Sequence, residues 1–141
     1  GGVHLLYHNH NCEFLRLSDG ESAYHLIQDE TDPEYVNFEF DSYWCTECGA
    51  DPILEMQRLG NRLKLHHIND RGTRQKGASP TPILKSDAME LGTGTMPLKE
   101  LLAIDRQVGV KAVILETHQN WIDKSPIKSM QISAEFLKEN L

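Results

Sequence analysis

Apolar residues cluster in four short runs, at residues 3–7 (VHLLY), 36–40 (VNFEF), 63–68 (LKLHHI) and 112–115 (AVIL). Each has the length of a strand, and each gives way to polar, ionisable residues. The stretches that follow have helical features, at residues 22–30, 52–59, 98–108 and 126–141. Asp51-Pro52 and Ser125-Pro126 are cap-and-first-turn signals, because proline lacks only an N–H that would have no partner at the first helical position. Gly60 and Gly109 read as helix stops. The pattern predicts a β-α unit repeated four times.

Strands alternating with helices imply parallel pairing and right-handed crossovers, either in a doubly wound sheet or in part of a (β/α)8 barrel. The polar positions favour the barrel. There, functional side chains gather where strands end and loops begin, and His8, Asp41, His67 and Glu116 all stand at such positions. A full barrel takes about 250 residues, whereas this chain has 141. The expectation for residues 1–141 is therefore an α/β fold of parallel units forming half of a TIM (β/α)8 barrel. The other strands would come from a missing N-terminal half or from a second copy in a homo-oligomer, since half a barrel exposes strand edges and interior. Gly1-Gly2, with no initiator Met, reads as the start of a fragment.

One connection is long. Residues 70–91 carry Gly72, Gly77, Pro80 and Pro82 together with Arg71, Arg74 and Lys76, and a loop of that length is more often functional or mobile than structural. Gly92-Thr93-Gly94 follows it. Two glycines are too few for a dinucleotide fingerprint, which leaves a phosphate cradle as the minor reading.

Composition narrows the partners. With 39% hydrophobic and 25% charged residues the chain is a folded globular type, and a net charge of −7 repels nucleic acid and anionic membrane surfaces. No apolar run approaches the roughly 20 residues of a bilayer span. Three cysteines, Cys12, Cys45 and Cys48, are too few for a disulfide scaffold, so the chain reads as cytoplasmic. Cys45-Thr46-Glu47-Cys48 is a lone C-x-x-C. A structural zinc site needs four ligands, so these thiols read as loop residues. Trp44 and Trp121 read as pocket walls.

Two carboxylates and a histidine at separate strand ends, Asp41, His67 and Glu116, joined by a fourth ligand from the first unit, make an oxygen-rich set with one nitrogen. Such a set suits a divalent metal, Mn²⁺ first and Mg²⁺, Co²⁺ or Zn²⁺ after it, rather than Ca²⁺. His66 and His67 are neighbours, and alternation sends one inward and the other toward the helices. The fourth ligand lies within Tyr7-His8-Asn9-His10-Asn11-Cys12-Glu13-Phe14, the densest polar cluster. Spacing does not decide between His8 and Glu13. Glu13 is preferred because an anionic oxygen offsets the cation's charge, leaving His8 and His10 as acid/base or hydroxyl partners.

These residues resemble one family from end to end: the xylose isomerase-like barrels of sugar phosphate isomerases and epimerases, related to apurinic endonucleases, inosose dehydratases and ketose 3-epimerases. The resemblance is carried by Tyr7-His8-Asn9-His10 with Glu13-Phe14, Phe40-Asp41-Ser42-Tyr43-Trp44 with Gly49-Ala50-Asp51-Pro52, His67-Ile68-Asn69-Asp70, Leu91-Gly92-Thr93-Gly94 and Ile114-Leu115-Glu116. It implies barrel strands five to eight, the C-terminal half, which in such enzymes supply a Glu-Asp-His-Glu metal set. Two positions depart from the family. Asn69 stands where a lysine is common, and Trp44 stands where ketose 3-epimerases carry histidine.

The implied activity is metal-dependent isomerisation or epimerisation of a sugar or sugar phosphate, by proton abstraction beside a carbonyl through an enediolate. Glu13 and Glu116 would move the carbon-bound proton, His8 or His10 would shuttle hydroxyl protons, Trp44 would wall the pocket, and Arg71 or Arg74 would hold a phosphate or sugar oxygen. A dehydratase or lyase acting on an inosose or 3-keto sugar is the alternative on the same site. A truncated, non-catalytic half-barrel is the alternative from a different class.

Overall fold

Every apolar run becomes a strand. In a computed structural model, which describes residues 3–75, 77–78 and 81–141, the elements run β1 (Leu5–His8), α1 (Ala23–Asp29), β2 (Val36–Asp41), α2 (Ser42–Glu47), α3 (Pro52–Leu59), β3 (Leu63–Ile68), β4 (Asp70–Thr73), β5 (Ser86–Met89), α4 (Leu98–Val108), β6 (Ala112–Leu115) and α5 (Pro126–Asn140). Gly1, Gly2, Lys76 and Pro80, which entered the sequence reading, lie outside the described residues. Strands β1, β2, β3 and β6 form a four-stranded parallel sheet in that order, the α/β architecture of a partial barrel.

The caps expected at Asp51 and Ser125 are in place, and Ser22 adds a third. Ser22 accepts a hydrogen bond from the His25 N–H, Asp51 from those of Ile53 and Leu54, and Ser125 from that of Lys128. Each bond satisfies a first-turn donor that the helix cannot. Among the described residues no helix is long and apolar enough to cross a membrane.

Two features differ from the expectation. Asp41 caps a short extra helix, α2, directly after its strand. Residues 70–91 are not a plain loop, because β4 and β5 pair antiparallel from Asp70↔Met89 to Thr73↔Ser86. Neither strand has an apolar run to announce it. Cross-strand hydrogen bonding, rather than hydrophobic pattern, makes them strands.

The chain divides into two compact units, the first holding the residues up to Ile68 with Ala103–Ile114, the second Asn69–Leu102 with Leu115–Leu141. In the first, Phe38 and Phe40 are fully buried and meet Tyr24 with ring centroids 5.8 and 6.2 Å apart. Alternation puts Glu39 and Asp41 on the opposite face of β2. The register between β2 and β3 shifts once, from Phe38↔Leu63 to Glu39↔Leu65, which sets Phe40 against His66 and Asp41 against His67. Without that bulge Asp41 would lie across from His66, and the histidines would exchange faces.

The second unit is organised around a buried carboxylate. Asp70 accepts the N–H groups of Arg71 and Met96 on one oxygen and those of Gly92 and Gly94 on the other, at 2.8–3.1 Å. A side chain at Gly94 would meet Asp70 Oδ1 at 2.4 Å and the Arg71 carbonyl at 2.5 Å, so only glycine fits. The glycine pair wraps this aspartate, and its amides are spent there rather than on a phosphate.

Candidate metal centre

Three parallel strands of the first unit carry a residue with a potential metal-donor atom at the carboxyl end: His8 closes β1, Asp41 closes β2, and His67 is the penultimate residue of β3. Each offers a ligand atom within 4.8 Å of those of the other two. The His8 and His67 rings lie 4.5 Å apart, His10 stands edge-on to His8 at 4.9 Å, and Trp44 tilts over His10 at 5.7 Å. The sequence reading selected all five of these residues.

Other side chains hold the three in place. Fully buried Asn9 extends the β1–β2 ladder past its last backbone pair, its amide donating to the Asp41 carbonyl at 3.1 Å and its oxygen accepting the Asp41 N–H at 2.9 Å. The Asp41 carboxylate accepts the Trp44 N–H at 2.8 Å, which ties it to a helix start. On the helix-facing side, His66 spans Asp105 (2.7 Å) and the Ser42 hydroxyl (2.9 Å). All three are buried. Ser42 and His66 directly follow and precede Asp41 and His67, so this chain of polar groups pins α4 and α2 to the strand ends. A further neighbour is Glu39, whose carboxylate lies 2.6 Å from His67 Nε2. Asn9, Glu39, Ser42, His66 and Asp105 were not selected as site residues. Glu39 had a signal, since it shares Asp41's face two residues away, whereas Asp105 had none in a helix of ordinary amphipathic pattern.

Glu13 is placed elsewhere. It lies in a 3₁₀ turn, Cys12–Phe14, where its oxygens accept from the Tyr7 hydroxyl (3.1 Å), the His10 N–H (2.9 Å) and the Cys12 thiol (3.1 Å). Burial alone would raise its pKa, but the thiol, backbone and hydroxyl donors outweigh it and hold the carboxyl below the usual carboxylate range. The same contacts push Tyr7 and Cys12 up: burial and then Glu13 for the tyrosine, the Glu13 hydrogen bond first for the cysteine. The structure thus brings His8, not Glu13, to Asp41 and His67.

Glu116 follows β6 directly and meets His118 Nε2 at 2.6 Å. In the second unit Arg74 pairs with Glu90 and donates to the Asn120 carbonyl at 2.6 Å. Glu90 also accepts from the Ser129 hydroxyl and the Ile122 N–H. Burial opposes its charge, yet these hydrogen bonds, with that of Arg74, keep its carboxyl below the ordinary range. Arg71 engages the Thr95 N–H through its carbonyl. Trp121 donates to the Thr117 hydroxyl. All three cysteines are free thiols. Cys45 is packed in the core with its thiol pushed far up by burial, and Cys48 is exposed and donates to the Cys45 carbonyl. Among the described residues no cysteine belongs to a group of three or more possible metal ligands.

The donor set itself tests whether a cation fits. Two imidazoles and a carboxylate converge within 4.8 Å, with Asp41 buried and both histidines half-buried. Such a group offers lone pairs to a common point, and burying the carboxylate there is costly unless positive charge offsets it. Mixed nitrogen and oxygen donors suit a transition-series divalent ion.

The model of the xylose isomerase-like TIM barrel family matches residues 1–140. No curated protein matches the chain. Among solved structures, two of a sugar phosphate isomerase/epimerase from Parabacteroides distasonis are similar. One is 27% identical with a TM-score of 0.74, over 94% of this chain and 44% of its own, and the other is 26% identical with 0.75, over 97% and 45%. The chain spans less than half the length of either. A probable 3-DHS dehydratase involved in petrobactin synthesis from Bacillus anthracis is 15% identical with a TM-score of 0.63, over 99% of this chain and 50% of its own, a likeness of fold alone. With its parallel sheet and a family match from end to end, the chain belongs to the xylose isomerase-like TIM barrels.

Proposed function

We propose that this chain is the C-terminal half of a divalent-metal-dependent sugar or sugar phosphate isomerase/epimerase, carrying strands five to eight and the cation site. The observation that carries the proposal is the convergence of His8, Asp41 and His67 within 4.8 Å. Glu116 is the fourth ligand in this reading, standing directly after the last strand of the parallel sheet. His8 takes the place first assigned to Glu13, whose carboxylate is committed to Tyr7, His10 and Cys12. Mn²⁺ is the first choice, with Mg²⁺, Co²⁺ and Zn²⁺ as alternatives.

A cation held by these residues would supply Lewis-acid polarisation of a substrate carbonyl, which would acidify the adjacent C–H. Glu116 takes that carbon-bound proton and returns it to the neighbouring carbon on the same face of the sugar, the step of an isomerisation. His10, exposed and edge-on to His8, relays hydroxyl protons. Trp44 shields the sugar face. Arg74, held by Glu90 and Asn120, stabilises the second unit rather than binding substrate. The remaining strands come from an N-terminal half or from a second copy of this chain. Three free thiols fit a reducing, cytoplasmic setting.

The test is metal-dependent exchange of a sugar's carbon-bound proton with deuterated solvent, with Mn²⁺ binding followed by calorimetry. Glu116→Gln is expected to abolish exchange. Undiminished exchange in that variant sinks the assignment. An unsaturated product would move the reading to a dehydratase or lyase.

A further inference from the structure

We infer that Glu39 is a positioning residue for His67, holding its ring in the Nε2–H tautomer so that Nδ1 is the atom offered to the cation. This rests on the metal reading above and adds a residue and an atom to it. The contact is 2.6 Å between Glu39 Oε1 and His67 Nε2, with both side chains largely shielded from solvent. A neutral imidazole carries its proton on one nitrogen only, and a carboxylate oxygen at that distance accepts the proton-bearing one. The nitrogen engaged by Glu39 is then unavailable as a ligand. Ligating histidines that donate their second N–H to a carboxylate gain basicity and a fixed ring plane.

The fold makes the contact specific. Glu39 and Asp41 share one face of β2, so a single strand supplies both a ligand and the group that orients its neighbour. The bulge after Phe38 sets Glu39 against Leu65 and Asp41 against His67, so Glu39 reaches His67 diagonally along the strand ends. The His8 ring, 4.5 Å from that of His67, closes the other side. A ring flip of His67 would therefore break the Glu39 hydrogen bond.

Two readouts separate this inference from the metal reading. Long-range ¹H–¹⁵N correlation spectra of the metal-free chain, above the pH range in which imidazole titrates, report the tautomer directly. His67 is expected as Nε2–H, and as a tautomer mixture in Glu39→Ala. An Nδ1–H ring in the parent chain overturns the inference. Calorimetric titration with Mn²⁺ alone supplies the second readout. Glu39→Ala is expected to weaken binding about 10- to 100-fold, the range for a lost orienting partner. Glu39→Gln, whose amide oxygen still accepts, is expected to restore most of it. Equal losses in both variants would make Glu39 a ligand and overturn the positioning role, as would unchanged binding in Glu39→Ala. If the parent chain takes up no Mn²⁺ while the tautomer still depends on Glu39, the metal reading fails and the orienting contact stands.

Discussion

Asp41 and Asp70 are both buried carboxylates at strand termini, yet their surroundings are opposite in kind. Asp70 is enclosed by donors, with four backbone N–H groups on its two oxygens. Asp41 accepts the Trp44 N–H and brings a carboxylate oxygen within 4.8 Å of ring nitrogens of His8 and His67. A carboxylate whose acceptor sites are filled by backbone is part of the architecture. One gathered with two imidazoles belongs to a donor set able to hold a cation.

The contrast is broken or sharpened most strongly at Asp70. Asp70→Ala leaves four part-buried N–H groups without their carboxylate acceptor, so urea denaturation is expected to show a loss of about 3 kcal/mol. A loss below about 1 kcal/mol would remove the distinction. Next comes Asp41→Asn, which keeps a good helix cap but removes the anionic donor. Mn²⁺ affinity is expected to fall on the order of 100-fold, with stability within about 1 kcal/mol of the parent.

Gly94→Ala is expected to cost about 2 kcal/mol, because its Cβ would collide with Asp70 and with the Arg71 backbone. Mn²⁺ binding should be untouched. A smaller effect concerns pH. The Glu90 carboxyl lies below the ordinary range in the folded chain, so its contribution is fully present above the unfolded carboxylate value and is lost as pH falls through the depressed one. Glu90→Gln should flatten the acid limb of stability against pH, and an unchanged limb would remove this role. Smallest of all is Glu13→Gln, expected to change Mn²⁺ affinity no more than about twofold. A large loss there would return Glu13 to the ligand set in place of His8.

The sequence by itself determined the repeating architecture. The four strands and four long helices follow from apolar runs, Pro at the first helical turn and Gly at helix ends, all of which act over a few residues. It also determined that His8, Asp41, His67 and Glu116 fall at strand ends, because chain order alone places them there. Period-2 alternation told that His66 and His67 part ways without telling which goes where. That choice was made by the one-residue bulge between β2 and β3, and it is sealed by Asp105 on His66 and Glu39 on His67. The placing of Glu13 away from Asp41 and His67 likewise awaited the 3₁₀ turn that folds it back onto Tyr7 and His10. The role of Gly92 and Gly94 waited on Asp70, more than twenty residues away in the chain. Register, hydrogen-bond competition and close backbone approach are all set by partners distant along the chain, and no local pattern of residues encodes which partner arrives.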